Sequence, residues 1–197
     1  MIILPTSKGF LKKGSPIINW LIGGVNNTLI GSADGINWID IQSPLTSSAS
    51  ISAIHHNGSI WIIGNTLGEM AYSSNGISWT LLTSLTYSIN SINYARNLRV
   101  ACGNSGRLWS SNDGISWSRI TTSGIATNTN YTVIKYAQIS STNYAWFMGG
   151  GIAACSLDLN TWINWNRAGG SIWGFYTTMI WLSSVGGGPL TKHWVVS

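Results

Sequence analysis

Ser111-Asn112-Asp113-Gly114-Ile115-Ser116-Trp117 decides the reading of this chain, because it has two near-copies upstream. They are Ser32-Ala33-Asp34-Gly35-Ile36-Asn37-Trp38 and Ser73-Ser74-Asn75-Gly76-Ile77-Ser78-Trp79. A looser fourth copy is Ser156-Leu157-Asp158-Leu159-Asn160-Thr161-Trp162. The closing Trp recurs after 41, 38 and 45 residues. A period near 40 marks supersecondary units stacked in series.

Working outward from each box, the same strands return. An apolar run ending in Gly lies upstream: Leu21-Ile22-Gly23, Ile62-Ile63-Gly64, Val100-Ala101-Cys102-Gly103 and Phe147-Met148-Gly149. A Gly/Asn turn follows, then a short strand such as Met70-Ala71-Tyr72, the box, and a strand leaving it such as Trp79-Thr80-Leu81-Leu82. One more strand precedes the Gly-ended run, as in Ile51-Ser52-Ala53-Ile54 and Val133-Ile134-Lys135-Tyr136. Four short strands per unit at hairpin spacing, with no window holding a helical period, predict an all-β chain built as a β-propeller. Residues 1–197 read as a single domain with blades over about 11–43, 50–84, 88–122, 131–167 and 171–197. The last unit lacks a box, and Met1 to Thr6 is an orphan strand. Five blades closed by the N-terminal strand are therefore expected, with four blades plus an extra hairpin as the alternative. Closure would remove the exposed sheet edges.

The box has a physical logic of its own. An Asp in a tight turn accepts backbone N–H groups two residues on. Gly supplies positive φ, and Trp covers the turn with a large apolar face. Asp34, Gly35, Trp38, Asn75, Gly76, Trp79, Asp113, Gly114, Trp117, Asp158 and Trp162 are accordingly expected to be structural. Asn75 keeps the needed oxygen. Leu159 stands where Gly belongs, so the fourth turn is expected to differ. The motif resembles the Asp-box, or BNR repeat, of sialidase-type propellers, in a form one residue shorter between Asp and Trp. The shortened form resembles that of phage and large-virus particle proteins. The resemblance implies a propeller with its boxes on the hairpin between third and fourth strands. It implies no particular activity.

Enzymatic function is not expected. The chain has five carboxylates; three sit in boxes, and Asp40 and Glu69 belong to different units. A glycosidase usually needs two that converge. The arginines and the Tyr–Glu pair that a sialidase resemblance would require are missing. His55-His56 are neighbours that point apart on a strand, and no Cys/His spacing indicates a metal site. No cofactor is expected. Cys102 and Cys155 occupy different unit positions and read as unpaired.

Charge narrows the partners. Only 8% of residues are charged, with a net charge of +5 and a mean hydropathy of +0.17. Ser, Thr, Asn and Gly must coat the surface, which suits a protein packed into an assembly. Nucleic-acid binding would need a dense Lys/Arg stripe, and none is present. Met1-Ile2-Ile3-Leu4-Pro5 does not read as a signal peptide, nor does any run reach membrane-spanning length. The expectation is a non-enzymatic docking or decoration module of a virion tail, fibre or capsid surface, with other proteins of the particle as partners. Location outside the cell by a non-classical route is the alternative. A second reading is a glycan-binding lectin, with Asn26, Asn27, Asn65, Asn104 and Arg107 in the turns opposite the boxes as candidate ligand residues; a cryptic hydrolase is the third. Trp165, Trp173 and Trp194 leave the repeat positions and are expected at the surface.

Overall fold

The structure, a computed structural model, describes residues 17–82, 84–138, 143–165, 179–182 and 193–196. Its strands are short and antiparallel, and each pairs with its neighbour in sequence. The first sheet holds β1 (Trp20–Gly23), β2 (Leu29–Ser32) and β3 (Trp38–Asp40). The second holds β4 (Ile51–His56), β5 (Trp61–Asn65), β6 (Met70–Ser73) and β7 (Thr80–Leu81). The third holds β8 (Ser91–Ala95), β9 (Leu98–Cys102), β10 (Leu108–Ser111) and β11 (Ser118–Arg119). The fourth holds β12 (Tyr131–Gln138), β13 (Tyr144–Gly150), β14 (Ala153–Ser156) and β15 (Ile163–Trp165). A hairpin of β16 (Met179–Leu182) and β17 (His193–Val196) follows.

The core lies between the sheets. Along β5, Ile63 joins Ile18, Leu29, Ile41 and Ile51 between the first and second sheets. Its neighbour Ile62 joins Ile89, Ile92, Ala101 and Trp109 between the second and third. Alternation thus feeds both faces of one strand into two different layers, which is why the run is apolar without a break. Val100, Cys102, Leu108, Tyr131, Ile134, Trp146 and Met148 fill the third layer, between the third and fourth sheets. The glycines ending the second strands make room for the next sheet. A Cβ on Gly23 would lie 2.5 Å from Ile51 Cγ2, and one on Gly64 would lie 2.8 Å from Ile89 Cβ.

The described strands therefore form four blade-like sheets in series and one hairpin, and they do not close into a ring. The expected count of five is not reached. The expected closing strand 1–6, the first strand of the 11–43 unit and most of the 171–197 unit lie outside the described residues. So do the side chains of Trp165, Trp173 and Trp194. The open flank of the first sheet is apolar. Trp20 is 58% exposed, whereas Trp61 and Trp146, which face a box Ser in the same way, are 8% and 4% exposed. Ile22 is exposed on the same face, whereas Ile39 is exposed on the opposite face, which it shares with Leu21 and Gly31. Among the described residues no helix is long and apolar enough to cross a membrane.

Candidate functional site

All four boxes lie between the last two described strands of their sheets and have one hydrogen-bond pattern. In the third, the Ser111 hydroxyl donates to Asp113 Oδ1 at 2.9 Å and accepts the Gly114 N–H at 2.7 Å. Asp113 Oδ1 also accepts the N–H groups of Ile115 and Ser116, both at 2.8 Å. The Trp117 indole N–H closes the turn on the Gly114 carbonyl at 3.1 Å. Asp34 makes the same bonds and adds one from the Asn37 amide at 2.7 Å. Asn75 repeats them with its side-chain oxygen. These donors stabilise the charged carboxylates. Asp34 is held well below the usual range by Asn37 first, then Ile36 and Ser32. Asp113 is brought down to about 2 by the Ile115 and Ser116 N–H groups. Asp158 is lowered likewise by Thr161 and Asn160.

The fourth turn does not differ, contrary to the sequence expectation. Leu159 has φ 68°, beside 77°, 76° and 80° for Gly35, Gly76 and Gly114. Its N–H bonds Ser156 Oγ at 2.9 Å, and Trp162 donates to its carbonyl at 2.8 Å. The side chain is buried in the layer between the third and fourth sheets. That burial offsets a left-handed conformation that costs a non-glycine residue roughly 1–2 kcal/mol.

Glu69 has a structural role that spacing alone did not reveal. Its carboxylate accepts from the N–H of Thr46 at 3.3 Å and of Ser47 at 3.2 Å, from Ser47 Oγ at 2.5 Å, from Asn65 Nδ2 at 2.7 Å, and from the Thr46 hydroxyl. It ties the linker entering the second sheet to the β5–β6 turn. Partial burial pushes its carboxyl up, but the donors of Ser47, Thr46 and Asn65 outweigh this and bring it down to about 2. In the third sheet the corresponding position is Arg107, which grips the incoming linker differently. Its guanidinium lies 4.6 Å from the Tyr87 ring centre, and Nη2 donates to Tyr87 Oη at 3.2 Å.

These groups set the acid limit of the fold. Glu69 and Asp113 titrate at about 2 when folded, against ordinary values of 4.5 and 3.8. The unfolded chain binds more protons in that window, so their contribution is complete above the unfolded values and is lost as pH falls towards 2. The urea midpoint is expected to be flat only above about pH 7. Below that it falls because His55, held at about 4 in the fold against an ordinary 6.5, takes up a proton on unfolding. It falls more steeply below about pH 5 as the carboxylates add their share. Glu69→Gln is expected to flatten part of that fall. An unchanged slope would show that the carboxylate cage does not form in solution.

The other candidate ligand residues are placed as follows. Asn65 is fully buried; its Oδ1 accepts the N–H groups of Leu67 and Glu69, and its Nδ2 reaches Ser47 and Glu69. Asn27 donates to the Leu45 carbonyl at 2.6 Å and accepts from Ser43 Oγ at 2.5 Å. Asn104 accepts from Asn90 Nδ2 at 2.9 Å. Asn26, at φ 51°, is exposed and lines an open hollow of about 470 Å³ with Asn27, Thr28, Asp40, Gln42 and Ser43. The structure thus brings Asn26 and Asn27 together and leaves Asn65, Asn104 and Arg107 in the second and third sheets.

One cluster escaped the sequence reading. In three sheets the residue paired with the box Ser is Trp: Trp20, Trp61 and Trp146. In the third sheet it is Arg99, paired with Ser111 and only 5% exposed. Aligning the units on their box Ser would have exposed this exchange. Aligning them on the Gly-ended strand does not, because Gly103 lies one residue past its counterparts. Arg99 stacks on Tyr94 with its Cζ 4.9 Å from the ring centre, and its Nη1 donates to the Asn112 carbonyl at 2.7 Å. Facing it from the second sheet is His55, 6.3 Å from the Tyr94 ring. Burial, with the charges of Arg99, His56 and Lys135, lowers His55 to about 4. His56 turns away and stacks on Trp61 at 4.2 Å. Cys102 and Cys155 are unbridged. Among the described residues no group of three or more His, Cys, Asp or Glu is placed to hold a metal.

No protein-family model matches the chain, and no curated protein matches it by sequence. Solved structures do resemble it. A structure of YCF48 bound to a D1 peptide has a TM-score of 0.57 at 17% identity, covering 73% of this chain and 50% of that one. Sqt1 of Saccharomyces cerevisiae has a TM-score of 0.48 at 13% identity, covering 66% and 37%. The computationally designed protein Ika8 has a TM-score of 0.46 at 11% identity, covering 71% and 45%. The chain therefore spans about half or less of these neighbours' lengths. The likeness to YCF48 puts this chain among the β-propellers as a fold.

Proposed function

We propose that the chain is a rigid, non-enzymatic protein-docking module that works inside a larger particle, a virion tail, fibre or capsid surface. The observation carrying the non-enzymatic part is where the acids lie. Four of the five carboxylates, Asp34, Glu69, Asp113 and Asp158, are bonded into turns and linkers. Asp40 alone is left, on the rim of an open hollow. A lone exposed carboxylate does not make the convergent pair that hydrolysis of glycosides usually needs. The docking part draws on the sparse charge and on the apolar side chains of Trp20 and Ile22, exposed on one face of the first sheet.

Quantitative mass spectrometry across a density gradient of particles from the source culture tests this reading. The expected result is co-sedimentation of the chain with particles at a fixed copy number, resistant to high salt. A chain confined to the soluble fraction overturns the particle assignment. Hydrolytic turnover that disappears in Asp40→Asn would overturn the non-enzymatic one.

A further inference from the structure

We propose that the seam between the second and third sheets, at its box end, is a binding site for a carboxylate group presented by a protein partner, with Arg99 as its anchor. The inference rests on the docking reading for the source of the carboxylate, but the site itself does not depend on it.

A buried guanidinium is almost always matched by an acid. Arg99 is not. It is among the most buried polar residues described, yet no carboxylate lies against it; its partners are a backbone carbonyl and the Tyr94 ring. Its Nε is enclosed without a partner, against Gly114. Nη2 carries no hydrogen bond among the described residues, so it is the nitrogen left to a ligand. Across the seam His55 Nε2 is also enclosed without a partner. The permanent charges that act on His55, those of Arg99 and Lys135, are both positive. The seam therefore holds an uncompensated cation, two orphaned nitrogen atoms and an aromatic wall in one place. At the corresponding places the other sheets have neutral aromatic pairs, Trp61 with His56 and Trp146 with Tyr136.

A carboxylate is the group that answers this arrangement. It accepts charge-assisted bonds from the guanidinium edge, which is shaped for planar oxyanions. A negative charge there would remove the mismatch around His55. Asp113, the acid nearest in sequence, turns its Oδ1 to Ser111, Ile115 and Ser116, and the Arg99 guanidinium bonds the Asn112 carbonyl beside it instead.

Arg99→Trp is the informative variant, because it installs the residue used by three other sheets and so favours retention of the fold. Isotope-labelled protein is titrated with sodium acetate at constant ionic strength, following the His55 ring and the Arg99 Nε–H by NMR. The same is done with a short peptide bearing a free C-terminal carboxylate and with its C-terminal amide. Saturable shifts at His55 and Arg99 are expected with acetate and with the free-acid peptide. Affinity should be about tenfold or more weaker for the amide and for Arg99→Trp at His55. Arg99→Lys, a second variant that keeps the charge, should retain weak binding. No saturable shift, or equal binding by Arg99→Trp, overturns the site. Acetate binding without any binding of the free-acid peptide overturns the protein partner while leaving the carboxylate site, and that result is independent of the sedimentation experiment.

Discussion

Gly68→Ala is expected to lower the unfolding free energy by about 3 kcal/mol or more, whereas Gly58→Ala costs about 1 kcal/mol. Both glycines have left-handed backbones, with φ 87° and 92°. They differ in what surrounds them. Around Gly58, in the β4–β5 hairpin, an added Cβ meets nothing within 4 Å. At Gly68 it would sit 1.9 Å from the Leu85 carbonyl oxygen and 2.6 Å from that of Tyr87. Those atoms belong to the linker that leaves the second sheet for the third. The linker is bonded to the turn it crosses, with the Leu85 N–H donating to the Gly68 carbonyl at 2.9 Å. To admit a methyl group it must lift away, losing that bond and shifting Tyr87, the ring under Arg107. Gly58→Ala thus isolates the conformational cost, and the difference between the variants measures the crossing. Equal urea midpoints would mean that the linker does not seat on Gly68 in solution.

This crossing shows where sequence reading stopped. The turn 65–69 was legible as Gly/Asn-rich, and so was its place in the unit. What the residues do there was not, because the answer lies in a linker some twenty positions away in sequence. Asn65 looked like a sugar-binding amide since a solvent-facing Asn and a saturated buried one have the same letter. Glu69 looked spare for the same reason, and its five donors come mostly from Thr46 and Ser47. The boxes behaved differently. Their bonds are local, spanning two or three residues, so spacing carried nearly all of their geometry. Arg99 was hidden by choice of register: counted from the box Ser it replaces a Trp, and counted from the Gly it does not.

Leu159 is where a local rule was overridden by its surroundings, and it leads to an inverted order of mutational cost. Leu159→Ala is expected to lose about 3 kcal/mol, and Leu159→Gly about 1 kcal/mol less than that. Both remove the same buried contacts, as Leu159 is 7% exposed. Only Gly also removes the left-handed strain at φ 68°. The reason a Leu fits lies on the neighbouring sheet. A Cβ on Gly114 would meet Ile60 Cδ1 at 2.7 Å and Ile62 Cδ1 at 2.8 Å. Counted from the residue paired with each box Ser, Leu98 and Val100 take those places beneath the fourth box. Val100 lacks the δ-methyl carbon that Ile62 directs at the glycine. The volume given up by the neighbour is supplied by Leu159 itself. Val100→Ile alone should therefore destabilise by overpacking, by about 1–3 kcal/mol. Combined with Leu159→Gly it should recover stability relative to Leu159→Gly alone, recreating the pairing at the third box. A double-mutant cycle by urea denaturation reads this coupling directly. Additive costs, or an Ala variant more stable than the Gly variant, would mean that the fourth box does not hold its left-handed turn.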